Sequence, residues 1–268
     1  MDNLYDMLES RGFIYEATKP EELRKLLMSE RVTVYIGFDP TAPSLHLGNL
    51  LPIMGLVHSQ RCGHRPIAVM GGGTGMVGDP SGKTEERSLM SEEEIEHNLE
   101  QLKRQFEKFL DFGKEGGALM LNNADWLREW RYLDFLRDIG KHFNIAYMIN
   151  KESVKRRIED QERSLSYTEF SYMLLQAYDF LFLRKNYDCK IQMGGSDQWG
   201  NITAGIDLIR KVLGKDAYGI TFPLLTTSSG AKFGKSEQGT PVWLDPSRTS
   251  PYQMYQHLIR TDDRDVVR

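Results

Sequence analysis

Apolar positions along this chain repeat with a period of two in some stretches and of three to four in others, and the two periods alternate. Residues 2–30 read as two amphipathic helices with a turn at Lys19-Pro20. Residues 32–39 read as an apolar strand, with Tyr35, Gly37 and Asp39 on one face and Ile36 and Phe38 on the other. A helix over 46–61 ends at Gly63, and a second apolar strand over 66–70 runs into Gly71-Gly72-Gly73-Thr74-Gly75. Strand, helix and strand in succession predict a right-handed parallel unit, hence an α/β fold.

The pattern then predicts a polar, mobile loop over 79–87 and a long charged helix over 91–111, opened by a Ser91/Glu94 capping box. A strand follows at 118–121, then a helical stretch over 126–185 with breaks at Gly140 and 161–164. A buried strand at 190–193 ends in Gly194-Gly195-Ser196-Asp197, and a helix continues to residue 212. A strand at 220–225 leads into a Gly/Ser/Lys loop over 227–239. The last helical pattern carries Tyr252, Tyr255 and Leu258 and is cut short, as in a truncated or unusually short protein.

Composition narrows the class. At 268 residues and 40% hydrophobic content the chain can bury a sizeable core, and a net charge of −4 argues against a surface coated with basic charge for nucleic acid. A local basic patch stays open. Cys62 and Cys189 stand far apart with no Cys-x-x-Cys spacing, which suits a reducing cytoplasm and offers no zinc site. The N-terminus is not a signal peptide, and the most apolar helix, around 173–183, is broken by Gln176 and Asp179, so no membrane span is expected.

The candidate chemistry begins at Asp39-Pro40-Thr41-Ala42-Pro43-Ser44-Leu45-His46, where a strand breaks into a loop and then a helix. Free N–H groups and the helix dipole make that junction a seat for phosphate. Gly73-Thr74-Gly75-Met76-Val77-Gly78 matches a dinucleotide fingerprint, but Asp79-Pro80 follows where a helix must open, so the glycines are read instead as allowing close approach to some ligand. Gly82-Lys83-Thr84 lacks the first glycine of a P-loop, because position 77 is Val77.

Tyr172, Gln176 and Asp179 share one helix face, and spacing alone fits a solvent-facing stripe as well as a ligand site. Asp197 and Gln198 follow a strand end, where a carboxylate can hold a ribose or Ser196 or Asp197 can cap the next helix. Lys232 and Lys235 can neutralise a polyphosphate or form an ordinary basic hairpin tip. His46 alone reads as readily structural. The run Lys155-Arg156-Arg157, next to Lys151, fits a solvated helix face as well as a nucleic-acid contact.

Taken in order, Tyr35-x-Gly-x-Asp-Pro-Thr-Ala-x-Ser-Leu-His-Leu-Gly-Asn49, Gly78-Asp-Pro-Ser-Gly-Lys83, Phe170-Ser-Tyr-x-x-Leu-Gln-Ala-Tyr-Asp179, Gly194-Gly-Ser-Asp-Gln-Trp-Gly-Asn-Ile202 and Lys232-Phe-Gly-Lys-Ser236 resemble the bacterial tyrosyl-tRNA synthetases, a class I family, over essentially the whole chain. His46 to Asn49 is similar to the His-Ile-Gly-His signature, with Asn49 in place of its second histidine. Lys232 to Ser236 is similar to Lys-Met-Ser-Lys-Ser, with Phe233-Gly234 in place of Met-Ser.

The resemblance implies a Rossmann-like, doubly wound parallel sheet over 32–226 with a helical insertion at about 122–188 that forms a homodimer interface. It also implies a helical arm over 1–31, the Lys-Phe-Gly-Lys-Ser loop region over 227–247 and the start of a helical domain over 248–268. The implied reaction is activation of L-tyrosine with ATP, accompanied by Mg2+, to tyrosyl-adenylate and pyrophosphate, then transfer to tRNA(Tyr), with transfer expected to be weak in so short a chain. Tyr35 and Asp179 would grip the phenol hydroxyl. Asp79, Tyr172 and Gln176 would hold the ammonium group, Gln198 would orient the substrate and Asp39 would frame the pocket.

Gly37, Asp39, Gly48, Asn49, Gly195, Asp197 and Leu225 would lie along the nucleotide. Thr41 and His46 would meet the terminal phosphates. Lys83, Arg87, Lys232, Lys235 and Ser236 would close over pyrophosphate, and Lys151 and Trp199 would touch the tRNA acceptor arm. A tryptophanyl-type synthetase and a non-catalytic RNA-binding relative are the competing readings.

Overall fold

In a computed structural model, the structure describes residues 3–80, 90–113, 116–151, 154–155, 158, 165–226, 234 and 240–263. The expectations for Lys83, Arg87, Lys232, Lys235, Ser236, Arg156, Arg157 and the 161–164 break fall outside them.

A six-stranded sheet carries the fold. Its strands are β1 (Glu16–Ala17), β2 (Thr33–Phe38), β3 (Arg65–Met70), β4 (Leu119–Asn122), β5 (Cys189–Gly195) and β6 (Tyr218–Phe222), in the spatial order β1-β6-β5-β2-β3-β4. All neighbours are parallel except β1 against β6. The chain leaves β2 on one side for β3 and β4 and returns on the other side for β5 and β6. The carboxyl ends of β2 and β5 therefore flank a topological switch point, where such sheets leave a crevice for ligands.

The alternation read in the first long strand is what winds the sheet on both faces. Val34, Ile36 and Phe38 of β2 join a core built with α1 (Leu4–Ser10), α2 (Pro20–Ser29), α3 (Leu47–Arg61) and α4 (Glu92–Phe106). Tyr35 enters the opposite core, with Phe180 and Leu183 of the long helix over Tyr167–Tyr187 and Ala204 and Leu208 of the helix over Trp199–Leu213. Between β4 and β5 run α5 (Ala124–Leu127), α6 (Tyr132–Asp138), α7 (Ile145–Ile149) and α8, the helix Tyr167–Tyr187. The helix Trp199–Leu213 is α9, and α10 (Pro251–Ile259) closes the described chain.

Several expected boundaries move, each for a local reason. The N-terminal stretch is not two helices alone, because Tyr15 and Thr18 donate to Thr221 and Gly219 at 2.7 and 3.0 Å and draw β1 onto the sheet edge. The helix expected over 91–111 ends at Phe106, where its ladder tightens to bonds such as Phe109 N–H to Phe106 O at 2.9 Å. The stretch over 126–185 breaks into separate helices, one of them restarted by Asn144, whose side chain accepts from Ala146 N–H, and another by the Ser166/Glu169 capping box. The strand expected over 220–225 stops at Phe222, since Pro223 has no N–H to continue a ladder.

Candidate active site

A cleft of about 630 Å³ opens at the switch point. Its lining includes Tyr35, Gly37, Asp39, Thr41, His46, Gly48, Asn49, Asp79, Tyr172, Gln176, Asp179, Gly195, Asp197, Gln198 and Leu225, so the expected substrate and nucleotide residues that the structure describes converge on one space. Lys151 and Trp199 do not line it. The Lys151 ammonium donates to Thr203 Oγ1 at 2.8 Å and lies 4.1 Å from the centre of the Tyr147 ring.

Tyr172, Gln176 and Asp179 reach the cleft from α8, and burial of Tyr172 and Asp179 decides against a solvent-facing stripe. The Asp179 carboxylate accepts from Trp126 Nε1 at 2.7 Å and from Asn123 Nδ2 at 2.9 Å. Burial, opposed by those two donors and aided by the charge of Asp39, pushes its carboxyl up to about 7. Tyr35 is 1% exposed, and its hydroxyl has no hydrogen-bond partner among the described residues. Its phenol is held well above the usual range, by burial first and by the charge of Asp179 second. A buried hydroxyl without a partner costs stability.

A second network runs along the wall. Asn123 Nδ2 donates to Thr74 Oγ1 at 2.9 Å, Thr74 Oγ1 donates to Asp39 Oδ1 at 3.1 Å, and the Tyr172 hydroxyl donates to Asp39 Oδ2 at 3.4 Å. Burial, then the charges of Asp39, Asp79 and Asp179, hold the Tyr172 phenol in its neutral form. A third network links Gln198 Nε2 to Asp79 Oδ2 at 2.7 Å, Gln176 Nε2 to Gln198 Oε1 at 3.2 Å and Asn201 Nδ2 to Gln176 Oε1 at 3.0 Å. Asp39, Asp79, Asp179 and Asp197 make the space acidic, and none of the described residues that line it is a lysine or arginine. That charge suits an ammonium group.

The helix junction is built as a cap. His46 is the N-cap of α3, and Asn49 Oδ1 accepts the His46 backbone N–H at 2.9 Å. That bond fixes which end of the Asn49 amide is the oxygen and leaves Nδ2 as the donor. His46 also forms an isolated antiparallel bridge with Trp243. Gly234 lies so close that a Cβ there would sit 2.9 Å from Gly48 N.

One expectation gains a second use and another changes. The glycines after β3 are spaced for the protein's own side chains: Gly72 and Gly73 N–H donate to Asn122 and Asn123 at 3.2 and 2.8 Å, and a Cβ on Gly71 would meet Asp39 and Thr74. Neither Ser196 nor Asp197 caps α9; a 3-10 turn over Ser196–Gln198 intervenes and leaves Asp197 on the cleft wall. Thr74, Asn123, Trp126, Asn201 and Gln192 were absent from the expected set. Asn123 follows the carboxyl end of β4, the kind of position that marked Asp197, and was open to the same reasoning.

The architecture is a doubly wound α/β sheet with a cleft at its switch point, the arrangement of the class I synthetase type. Residues 28–268 match the family described as tRNA synthetases class I (W and Y), and the chain belongs to that family. It is 60% identical over 267 residues to a tyrosine–tRNA ligase of Desulfosudis oleivorans, aligning 99% of this chain with 61% of that protein. It is 56% identical over 267 residues to a tyrosine–tRNA ligase of Roseiflexus castenholzii, aligning 99% of this chain with 62% of that protein. The chain thus spans 61% to 62% of the length of these curated relatives. A C-terminally truncated mitochondrial tyrosyl-tRNA synthetase of Aspergillus nidulans has the same fold, with a TM-score of 0.87 at 31% identity over 99% of this chain and 78% of that one. No helix among the described residues is long and apolar enough to cross a membrane.

Proposed function

We propose that this chain activates L-tyrosine with ATP and passes the tyrosyl group to tRNA(Tyr), as part of a cytoplasmic tyrosine–tRNA ligase. The observation behind it is a buried Tyr35 hydroxyl with no partner among the described residues and, acting on it electrostatically, the buried Asp179 carboxylate, both lining an acidic cleft. A ligand hydroxyl that accepts from Tyr35 and donates to Asp179 gives the phenol a partner and the carboxylate a third donor, whereas a phenyl ring leaves the Tyr35 hydroxyl unpaired. An indole, with a donor and no acceptor, cannot complete the pair.

Asp79, Tyr172 and Gln176 take the ammonium group, with Gln198 orienting them through its bonds to Asp79 and Gln176. Asp39 frames the pocket. Gly37, Gly48, Gly195 and Leu225 let the nucleotide lie close, and Asp197 and the Asn49 amide meet its ribose. The tyrosine carboxylate is ionised at neutral pH and needs no base. Its oxygen attacks the α-phosphorus, the bond to the bridging oxygen breaks, and pyrophosphate leaves. Thr41 and His46 stabilise charge on the departing phosphates, joined by Lys83, Arg87, Lys232, Lys235 and Ser236. Magnesium enters with ATP as part of the substrate.

Exposed Leu133, Ile145 and Tyr147 on the insertion support a homodimer through that face. Lys151 and Trp199 are proposed to touch the acceptor end of the tRNA. Tyrosine-dependent exchange of labelled pyrophosphate into ATP tests the reading; its absence in the purified protein would refute it.

A further inference from the structure

The loop that carries Thr41 and His46 contains two prolines, Pro40 and Pro43, and so lacks two of the backbone donors that could tie it down. Part of it is nonetheless buried: Ser44 is 4% exposed and Leu45 3%. Buried backbone groups need partners. On one side the chain over 242–244 supplies them, with Leu47 N–H donating to Val242 O and Leu244 N–H to Leu45 O, both at 2.8 Å.

On the other side the partners come from helix α4. Asn98 Nδ2 donates to Pro40 O at 2.9 Å. Gln105 Oε1 accepts from Leu45 N–H at 3.0 Å and from Ser44 Oγ at 3.3 Å, and Gln105 Nε2 donates to Pro43 O at 3.5 Å. Both amides are 7% exposed. They share the buried stripe Ile95, Asn98, Leu102 and Gln105, spaced by three, four and three residues. Two amides in an otherwise apolar stripe cost desolvation, and here that cost is met by the loop, through its backbone and the Ser44 hydroxyl.

We infer that Asn98 and Gln105 are positioning residues that clamp the Thr41/His46 loop in the geometry needed for attack on the α-phosphate. The inference rests on the proposed tyrosine activation. The clamp touches the loop at Pro40, Pro43, Ser44 and Leu45, so it brackets Thr41 and lies directly before His46. None of its hydrogen bonds among the described residues reaches Tyr35 or Asp179. Loss of the clamp therefore acts on the phosphate side of the reaction and spares recognition of tyrosine.

The test combines hydrogen exchange on the unliganded protein with pyrophosphate-exchange kinetics, using Gln105→Leu, Asn98→Ser, Gln105→Glu and Leu102→Ala. In Gln105→Leu, which removes three hydrogen bonds to the loop, the amides of 41–47 exchange at least about tenfold faster, while β3 and β5 are unchanged. The kcat falls about ten- to a hundredfold, and KM for tyrosine stays within about twofold. Asn98→Ser gives the same pattern and serves if Gln105→Leu does not fold. Gln105→Glu keeps an acceptor for Leu45 and Ser44 but loses the donor to Pro43, and gives protection and rate between those of Gln105→Leu and the wild type. Leu102→Ala lowers global stability without selective loss at 41–47. Unchanged protection at 41–47 in both amide variants overturns the inference, as does a kinetic pattern identical to that of Leu102→Ala. If the wild type shows no tyrosine-dependent exchange, the functional reading fails, and hydrogen exchange alone still decides the clamp.

Discussion

The indole N–H of Trp126 meets the Asp179 carboxylate at 2.7 Å, deep enough that only 4% of Asp179 is exposed. A donor on each oxygen favours the ionised form, yet burial outweighs both and raises the carboxyl from 3.8 to about 7. The unfolded chain releases this proton near 3.8, whereas the folded chain keeps it to about 7. Over that window the folded state holds more protons, so this residue makes stability fall as pH rises. The slope reaches about 1.4 kcal/mol per pH unit. Denaturant titrations of wild type and Asp179→Asn between pH 5 and 8 should give a stability difference that shifts in favour of the variant with rising pH. A pH-independent difference would rule out the raised carboxyl.

The same proton couples to substrate. A phenol hydroxyl donating to Asp179 favours the carboxylate, so tyrosine binding releases a proton below pH 7. Calorimetry in two buffers of different ionisation enthalpy should detect that release at pH 6 and lose it at pH 8.5.

Tyr35→Phe should separate stability from function. Removing a buried hydroxyl with no partner leaves stability unchanged or raises it by about 1 kcal/mol. The same change removes a donor to the substrate phenol and lowers kcat/KM for tyrosine roughly tenfold. Thermal melting and exchange kinetics on one preparation check both halves, and a variant that loses both would point to a purely structural Tyr35.

Gly71→Ala should disorganise the cleft wall, because its methyl meets the Asp39 carboxylate and the Thr74 hydroxyl. A stability loss of about 1–3 kcal/mol is expected, with a rise in KM for tyrosine. Wild-type values for both would show that the wall can relax.

Gly234→Ala places a methyl 2.9 Å from the Gly48 backbone nitrogen, which has little room to yield. Single-turnover adenylate formation should slow while tyrosine affinity holds. Equal losses in both would place Gly234 outside the phosphate side of the reaction.

The parallel α/β core was legible because β2, β3 and β5 alternate or run apolar as buried strands do, and the Tyr35/Ile36 alternation assigned each face to its core. The Tyr172, Gln176 and Asp179 face was legible from helical spacing as a polar stripe, but spacing could not say whether it was buried. That depended on the α8–α9 packing and on Trp126 and Asn123, brought to Asp179 from 53 and 56 positions away. The contacts of the glycine run were hidden for a related reason. Its close approach is to Asn122 and Asn123, some 50 positions further along, and nothing local announces that contact. Asn98 and Gln105 were hidden in a helix whose composition reads as charged and solvated, because partners such as Pro40 and Leu45 belong to a loop far away in the chain.

In the proposed reaction, the Tyr35 and Asp179 pair selects a phenol for activation with ATP. The most direct measurement compares L-tyrosine, L-phenylalanine and L-tryptophan in pyrophosphate exchange, in the wild type and in Asp179→Ala. Exchange with tyrosine alone in the wild type, and its severe loss in Asp179→Ala, is the expected result. Exchange driven by tryptophan or phenylalanine, or an Asp179→Ala variant as active on tyrosine as the wild type, would contradict it.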